Sequence, residues 1–153
     1  MSPIGNPGYP SKSAAAESPS PEHFSMVAPH PRQGDLKTLL ADHTQWAAQL
    51  GRSPCVEFSA DWCPPCVALA DSLAVPRMVE AFRGTYIVWL DYDEWKDLLS
   101  GTGFTVIGVP TFFELDGAGA PTGRLITGAA WGEDIPENMA PPLREFFPGA
   151  SQP

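Results

Sequence analysis

The sequence predicts an α/β domain, a central mixed β-sheet with helices on both faces. Three observations carry this. Amphipathic and continuously apolar segments alternate in the order helix, strand, helix, strand, helix, strand, turn, strand, helix. The middle of that series reads as a βαβ crossover, which makes two strands parallel. Its end reads as a hairpin around Asp116–Gly117 with a closing helix, which adds antiparallel strands to the sheet.

Each element has its own signal. Over 35–50, Leu36, Leu39, Leu40, Ala47 and Leu50 recur at helical spacing, with Asp35 at the N-terminus and Gly51 as the stop. Residues 55–58 read as a short strand, and a helix over 63–73 follows. Pro64 and Pro65 fall in the first turn of that helix, where a missing N–H costs nothing. Pro76 starts a helical segment to Phe82. The apolar run 86–90 suits a buried central strand, and 93–100 a short helix. Residues 111–115 and 124–127 flank the turn as strands. A last helix is expected over 142–147, because Pro136, Pro141 and Pro142 leave little room for an earlier start.

The chain has 153 residues, enough for one domain over 33–148. Residues 1–32 are rich in Pro, Ser, Gly and Ala and are expected to form a disordered tail, with 24–27 as a candidate edge strand; 149–153 form a second tail. A plain linker is the simplest role for the N-terminal tail, before an SH3-type ligand or a tether. The charge is acidic, 18 Asp+Glu against 9 Lys+Arg. Such a surface repels phosphates, which argues against nucleic acid and anionic membranes as partners. No apolar run approaches the roughly 18 residues of a membrane span. The N-terminus shows no signal-peptide pattern, so a cytoplasmic location is expected, or a periplasmic one if a leader has been removed.

The cysteines are Cys55, Cys63 and Cys66. An odd count is no disulfide framework, and a Cys-x-x-Cys pair cannot staple distant parts of a fold. At a helix start, the first cysteine stands at the N-cap, facing free N–H groups and the positive end of the helix dipole. Both favour a thiolate, and the second sulfur lies close enough to resolve a mixed disulfide on the first. A zinc site needs four ligands. The spare candidates are Cys55, His23, His30 and His43, without CxxH or HxxxH spacing, so no metal is expected.

The segment Phe58–Ser59–Ala60–Asp61–Trp62–Cys63–Pro64–Pro65–Cys66 resembles the active-site segment of the thioredoxin superfamily. Gly108–Val109–Pro110–Thr111 resembles that family's cis-proline loop, and Gly128 a third landmark. The resemblance spans about residues 35–147 and implies a thioredoxin fold. It implies Cys63 as nucleophile and Cys66 as resolving thiol, and the N-cap placement of Cys63 before a helix that carries Cys66 inward predicts an exposed Cys63 and a shielded Cys66. Val109 would pair through its backbone with an extended substrate beside Pro110, Thr111 would lead the strand away, and Trp62 would shield the pair and contact partners. Glu57 takes the place of the family's buried acid, able to relay a proton to or from Cys66 through water. The family often pairs that acid with a lysine, at a position filled here by Trp89. The Pro64–Pro65 dipeptide resembles tryparedoxins and nucleoredoxins. Asp61–Trp62–Cys63, the Val75–Pro76 break and the turn 116–119 resemble the reducing domain of DsbD.

The resemblance implies a monomeric protein-disulfide reductase, reset by an upstream thiol reductase, with no cofactor beyond a Cys63–Cys66 disulfide. The alternatives are a dedicated electron carrier to one partner and a non-catalytic binding module using the Val109–Pro110 groove. Pro64 and Pro65 withhold two N–H groups from the Cys63 thiolate, so the pair is expected to be a reductant more than an oxidant. Simpler roles suit the rest: Cys55 as a small buried hydrophobe, Trp46, Trp89 and Trp131 as packing, and 91–94 as a solvated acidic loop.

Overall fold

A computed structural model describes residues 24–147. The N-terminal stretch 1–23 and the end 148–153, where tails were expected, lie outside the described residues. The strands are β1 (Ser25–Val27), β2 (Ser53–Ser59), β3 (Thr85–Asp91), β4 (Thr111–Leu115) and β5 (Pro121–Thr127). The helices are α1 (Leu36–Gln49), α2 (Pro64–Asp71), α3 (Pro76–Phe82), α4 (Tyr92–Trp95) and α5 (Pro136–Phe146). One sheet has the order β1-β3-β2-β4-β5. β3 runs parallel to both β1 and β2, whereas β4 is antiparallel to β2 and to β5. The predicted mixed sheet with helices on both faces is therefore present.

Alternation along β2 divides the core. Val56 and Phe58 face one side, with Val88, Leu90 and Phe113, under Leu36, Leu40 and Ala47 of α1. Cys55 faces the other, with Ile87 and Phe112, under residues of α2, α3 and α5. Asp35 fixes the start of α1 by accepting the Thr38 N–H at 3.1 Å. The turn between β4 and β5 rests on α1: a Cβ at Gly119 would stand 2.8 Å from the carbonyl carbon and oxygen of Leu40, so glycine permits the approach.

Several boundaries differ from the sequence expectation: β5 begins at Pro121, not Arg124, and the helix expected over 93–100 is α4 followed by a 3-10 turn at Lys96–Leu98. Two further differences bear on the packing. The fold reaches upstream of residue 33, since β1 adds the edge strand foreseen at 24–27 and a 3-10 turn follows at Pro31–Gln33. The buried Arg52 guanidinium bonds to the Ser25 hydroxyl and ties β1 to the start of β2. The last helix begins at Pro136, not near Pro142. Pro136 occupies the first helical position, where no N–H is needed. Pro141 and Pro142 do lie inside the helix and withdraw two ladder bonds, at about 3 kcal/mol each. Met139, Ala140, Leu143 and Phe146 are buried along one face, beside Met78, Ala81 and Phe82 of α3. Burying large apolar side chains at about 1.5–3 kcal/mol apiece offsets that cost. No helix among the described residues is long and apolar enough to cross a membrane.

Candidate active site

β2 ends at Ser59, and shortly after it Cys63 caps α2 in extended backbone geometry. Its Sγ accepts the Cys66 N–H at 3.3 Å, and its S–H donates to the Val109 carbonyl at 3.5 Å. N-cap side chains draw on the N–H groups of the second and third helical residues. Pro65 is second and Cys66 third, so Pro65 is the absent donor. Pro64, the first helical residue, is not placed to give one, which narrows the expectation that both prolines withhold a bond.

The Val109–Pro110 peptide is cis. Val109 packs against Ala60, Cys63 and Cys66. The Pro110 carbonyl accepts the Gly128 N–H at 3.2 Å. A Cβ on Gly128 would meet Pro110 Cδ and Trp131 Cζ2, both at 3.5 Å, so these three residues stand together. Thr111 is buried, donates its hydroxyl to the Gly108 carbonyl at 2.6 Å, and opens β4 opposite Phe58 and Thr127. Trp62 turns outward, 61% exposed, and donates its indole N–H to Asp93 Oδ2 at 2.6 Å.

The sequence pointed to an exposed Cys63 and a shielded Cys66. Both are buried, 4% and 2% exposed, because Ala60 and Val109 close over the pair. The asymmetry lies elsewhere. Burial pushes the Cys66 thiol up to about 12, and its hydrogen bond with Cys63 adds to this. The Ser59 hydroxyl and the Ala60 backbone act in the opposite direction. Cys55 is also buried, and burial, then the charges of Glu57 and Glu114, raise its thiol well above the ordinary range. It sits among apolar side chains of the α3/α5 side, as a small hydrophobe would.

Glu57 is buried between Trp89 of β3 and Phe112 of β4, its direct register neighbours. Trp89 thus holds the place of the counter-charge, and burial raises the Glu57 carboxyl to about 8. Among the described residues no hydrogen bond joins Glu57 to either sulfur of the pair. It stands two residues before Ser59 on the same β2 face. Ser59 is therefore the contact that sequence reasoning missed, although the period-two spacing 55, 57, 59 carried the signal. Asp93 was missed as the anchor of Trp62, and no local pattern marks a bond across 31 positions. No group of three or more His, Cys, Asp or Glu side chains arranged for a metal occurs among the described residues.

A Cys-x-x-Cys helix cap beside a cis-proline loop, at the end of a central strand in a five-stranded mixed sheet, defines the thioredoxin class of fold. The family model described as Thioredoxin matches residues 38–140. The chain belongs to the thioredoxin family. It is 35% identical over 72 residues to the thiol:disulfide interchange protein TxlA of Synechococcus elongatus, covering 46% of this chain and 37% of that protein. This chain thus spans little more than a third of the length of that curated relative. In structure it is similar to a mutant thioredoxin of Halobacterium salinarum, with TM-score 0.51, 20% identity, 88% of this chain covered and 96% of the other. It is also similar to Trxlp of Edwardsiella tarda, with TM-score 0.50, 21% identity, and 80% and 98% covered.

Proposed function

We propose that the protein is a thiol–disulfide oxidoreductase that reduces protein disulfides. The observation that supports this best is the Cys63 sulfur at the N-cap, taking the Cys66 N–H while lying against the Val109 carbonyl. In the first step the Cys63 thiolate attacks a substrate disulfide, forms a mixed disulfide and releases one substrate thiolate. In the second, Cys66 loses its proton and attacks the Cys63 sulfur. A Cys63–Cys66 disulfide forms, and the second substrate thiolate leaves. Two electrons pass to the substrate, and an upstream dithiol reductase restores the pair. No cofactor takes part.

A Cys66 thiol near 12 stays protonated until a base removes its proton, which keeps the resolving sulfur inert before the first step. Glu57 is the proposed acceptor, through an intervening water, and its carboxylate form grows as pH approaches 8. Val109, Pro110, Thr111 and Gly128 form the wall along which the substrate backbone lies, and Trp62 the rim. The proposed setting is the cytoplasm.

Insulin reduction with dithiothreitol tests the reading. The native protein accelerates precipitation of the insulin B chain, and Cys63→Ser abolishes the effect. Cys66→Ser holds a mixed disulfide through Cys63, detectable by mass spectrometry. Full activity in Cys63→Ser would overturn the assignment.

A further inference from the structure

Ile107 is the most exposed large apolar side chain among the described residues, at 96%. It packs on nothing, so the fold gains no burial from it. It stands two positions before Val109, whose carbonyl meets Cys63 Sγ. Trp62, next to Cys63 in the chain, is also open. The two tryptophans beside the site are each tied to an acid. Trp62 donates to Asp93, and Trp131, beside Gly128 and Pro110, donates to Asp134 Oδ1 at 2.9 Å. Asp61 lies exposed next to Trp62. Lys96, 4.0 Å from Asp93, offsets part of this negative charge.

We infer that Ile107 is a specificity-determining residue that favours polypeptide disulfides carrying an apolar side chain and basic residues beside the cysteines. The inference rests on the reductase reading above and names its substrate class. An isolated exposed isoleucine is ordinary on a protein surface. Its place two positions before Val109, whose carbonyl meets the Cys63 sulfur, gives it a use: an apolar side chain next to the substrate cysteine covers it when the backbone lies along Val109. The acids tied to Trp62 and Trp131 set the sign of the neighbouring charge, because opposite charges steer encounter and like charges oppose it. Ile107 touches the substrate without touching the reacting sulfurs, so its effect belongs to polypeptides and not to small disulfides.

The test uses the full chain and three probes: two cyclic disulfide peptides with leucine beside a cysteine, one flanked by lysines and one by glutamates, and the small disulfide DTNB. For Ile107→Ser, the ratio of kcat/KM on the lysine peptide to that on DTNB is expected to fall about tenfold, the factor that about 1.4 kcal/mol of lost apolar contact produces. Ile107→Val should recover most of it. The native protein should favour the lysine peptide over the glutamate peptide, with the preference shrinking as salt rises. An unchanged ratio in Ile107→Ser, with the native protein reducing all probes, overturns the inference and leaves the reductase reading standing. Equal rates on the two peptides overturn its charge component. A native protein that reduces neither peptide nor DTNB overturns both readings.

Discussion

The two faces of β2 are built from the same seven residues and do different work. One presents Val56 and Phe58 to aromatic and aliphatic partners, with Phe58 edge-on to Phe104 and Phe113 at 5.6 and 5.7 Å. The other presents Cys55, Glu57 and Ser59, a row that ends at Cys66. Alternation lets one strand support a dry core and, one residue over, carry a buried carboxyl and a hydroxyl that meets the Cys66 thiol. On the core face β2 places only Pro54, Val56 and Phe58, all apolar. The site face tolerates a buried acid because that acid stays neutral until about pH 8.

The largest effect that separates the faces is expected at Phe58, which is fully buried. Phe58→Ala should cost about 3–5 kcal/mol in urea unfolding. Activity per folded molecule should change little; a collapse of specific activity without loss of stability would break the division.

Glu57→Gln tests the other face by pH. The folded carboxyl titrates near 8 and the unfolded one near 4.5. Below the lower value both states hold the proton, and Glu57 costs nothing. As pH rises toward 8 the unfolded state alone releases it, so stability falls, with a slope approaching about 1.4 kcal/mol per pH unit. Above about 8 the loss levels off. Denaturation midpoints from pH 5 to 8 should decline in the native protein and lie flatter in Glu57→Gln, which should also resolve the mixed disulfide more slowly.

A smaller effect lies just beyond the strand. Pro65→Ala returns the absent N–H to Cys63, favours the dithiol, and should make the potential less negative by on the order of 30 mV, or about 1.4 kcal/mol. Pro64→Ala should move it less. Equilibration with glutathione separates the two, and equal shifts would show that ring geometry outweighs the donor. The smallest effect is expected at Cys55, at the far end of the site face. Cys55→Ala should cost about 1 kcal/mol or less and leave insulin reduction intact.

The site was legible where its logic is local. A cysteine before two prolines marks a helix start from composition alone, and the order of apolar runs carried the sheet. The Glu57–Trp89 pairing was legible through the family resemblance, and the strand register of the structure bears it out. What escaped depends on distant partners. The strand at 24–27 was legible but not its partners: β1 pairs with β3 and is tied by the Arg52–Ser25 bond, neither of which leaves a mark in a proline-rich stretch. Trp62 is held by a residue on α4. The burial of Cys63 comes from a loop 46 positions away. Local propensity argued against the first turn of α5, and packing against α3 overruled it.

That last helix has a consequence for cooperativity. With two prolines inside eleven residues, α5 cannot persist as an isolated helix. It exists only while docked on α3 and the sheet. Its amides therefore have no private opening by which to meet solvent. The protected ones in its last turn, such as Phe147 N–H on the Leu143 carbonyl, should exchange hydrogen for deuterium together with those of β2 and β3. The segment least suited to be a helix is thereby the one most tightly bound to the fate of the whole domain.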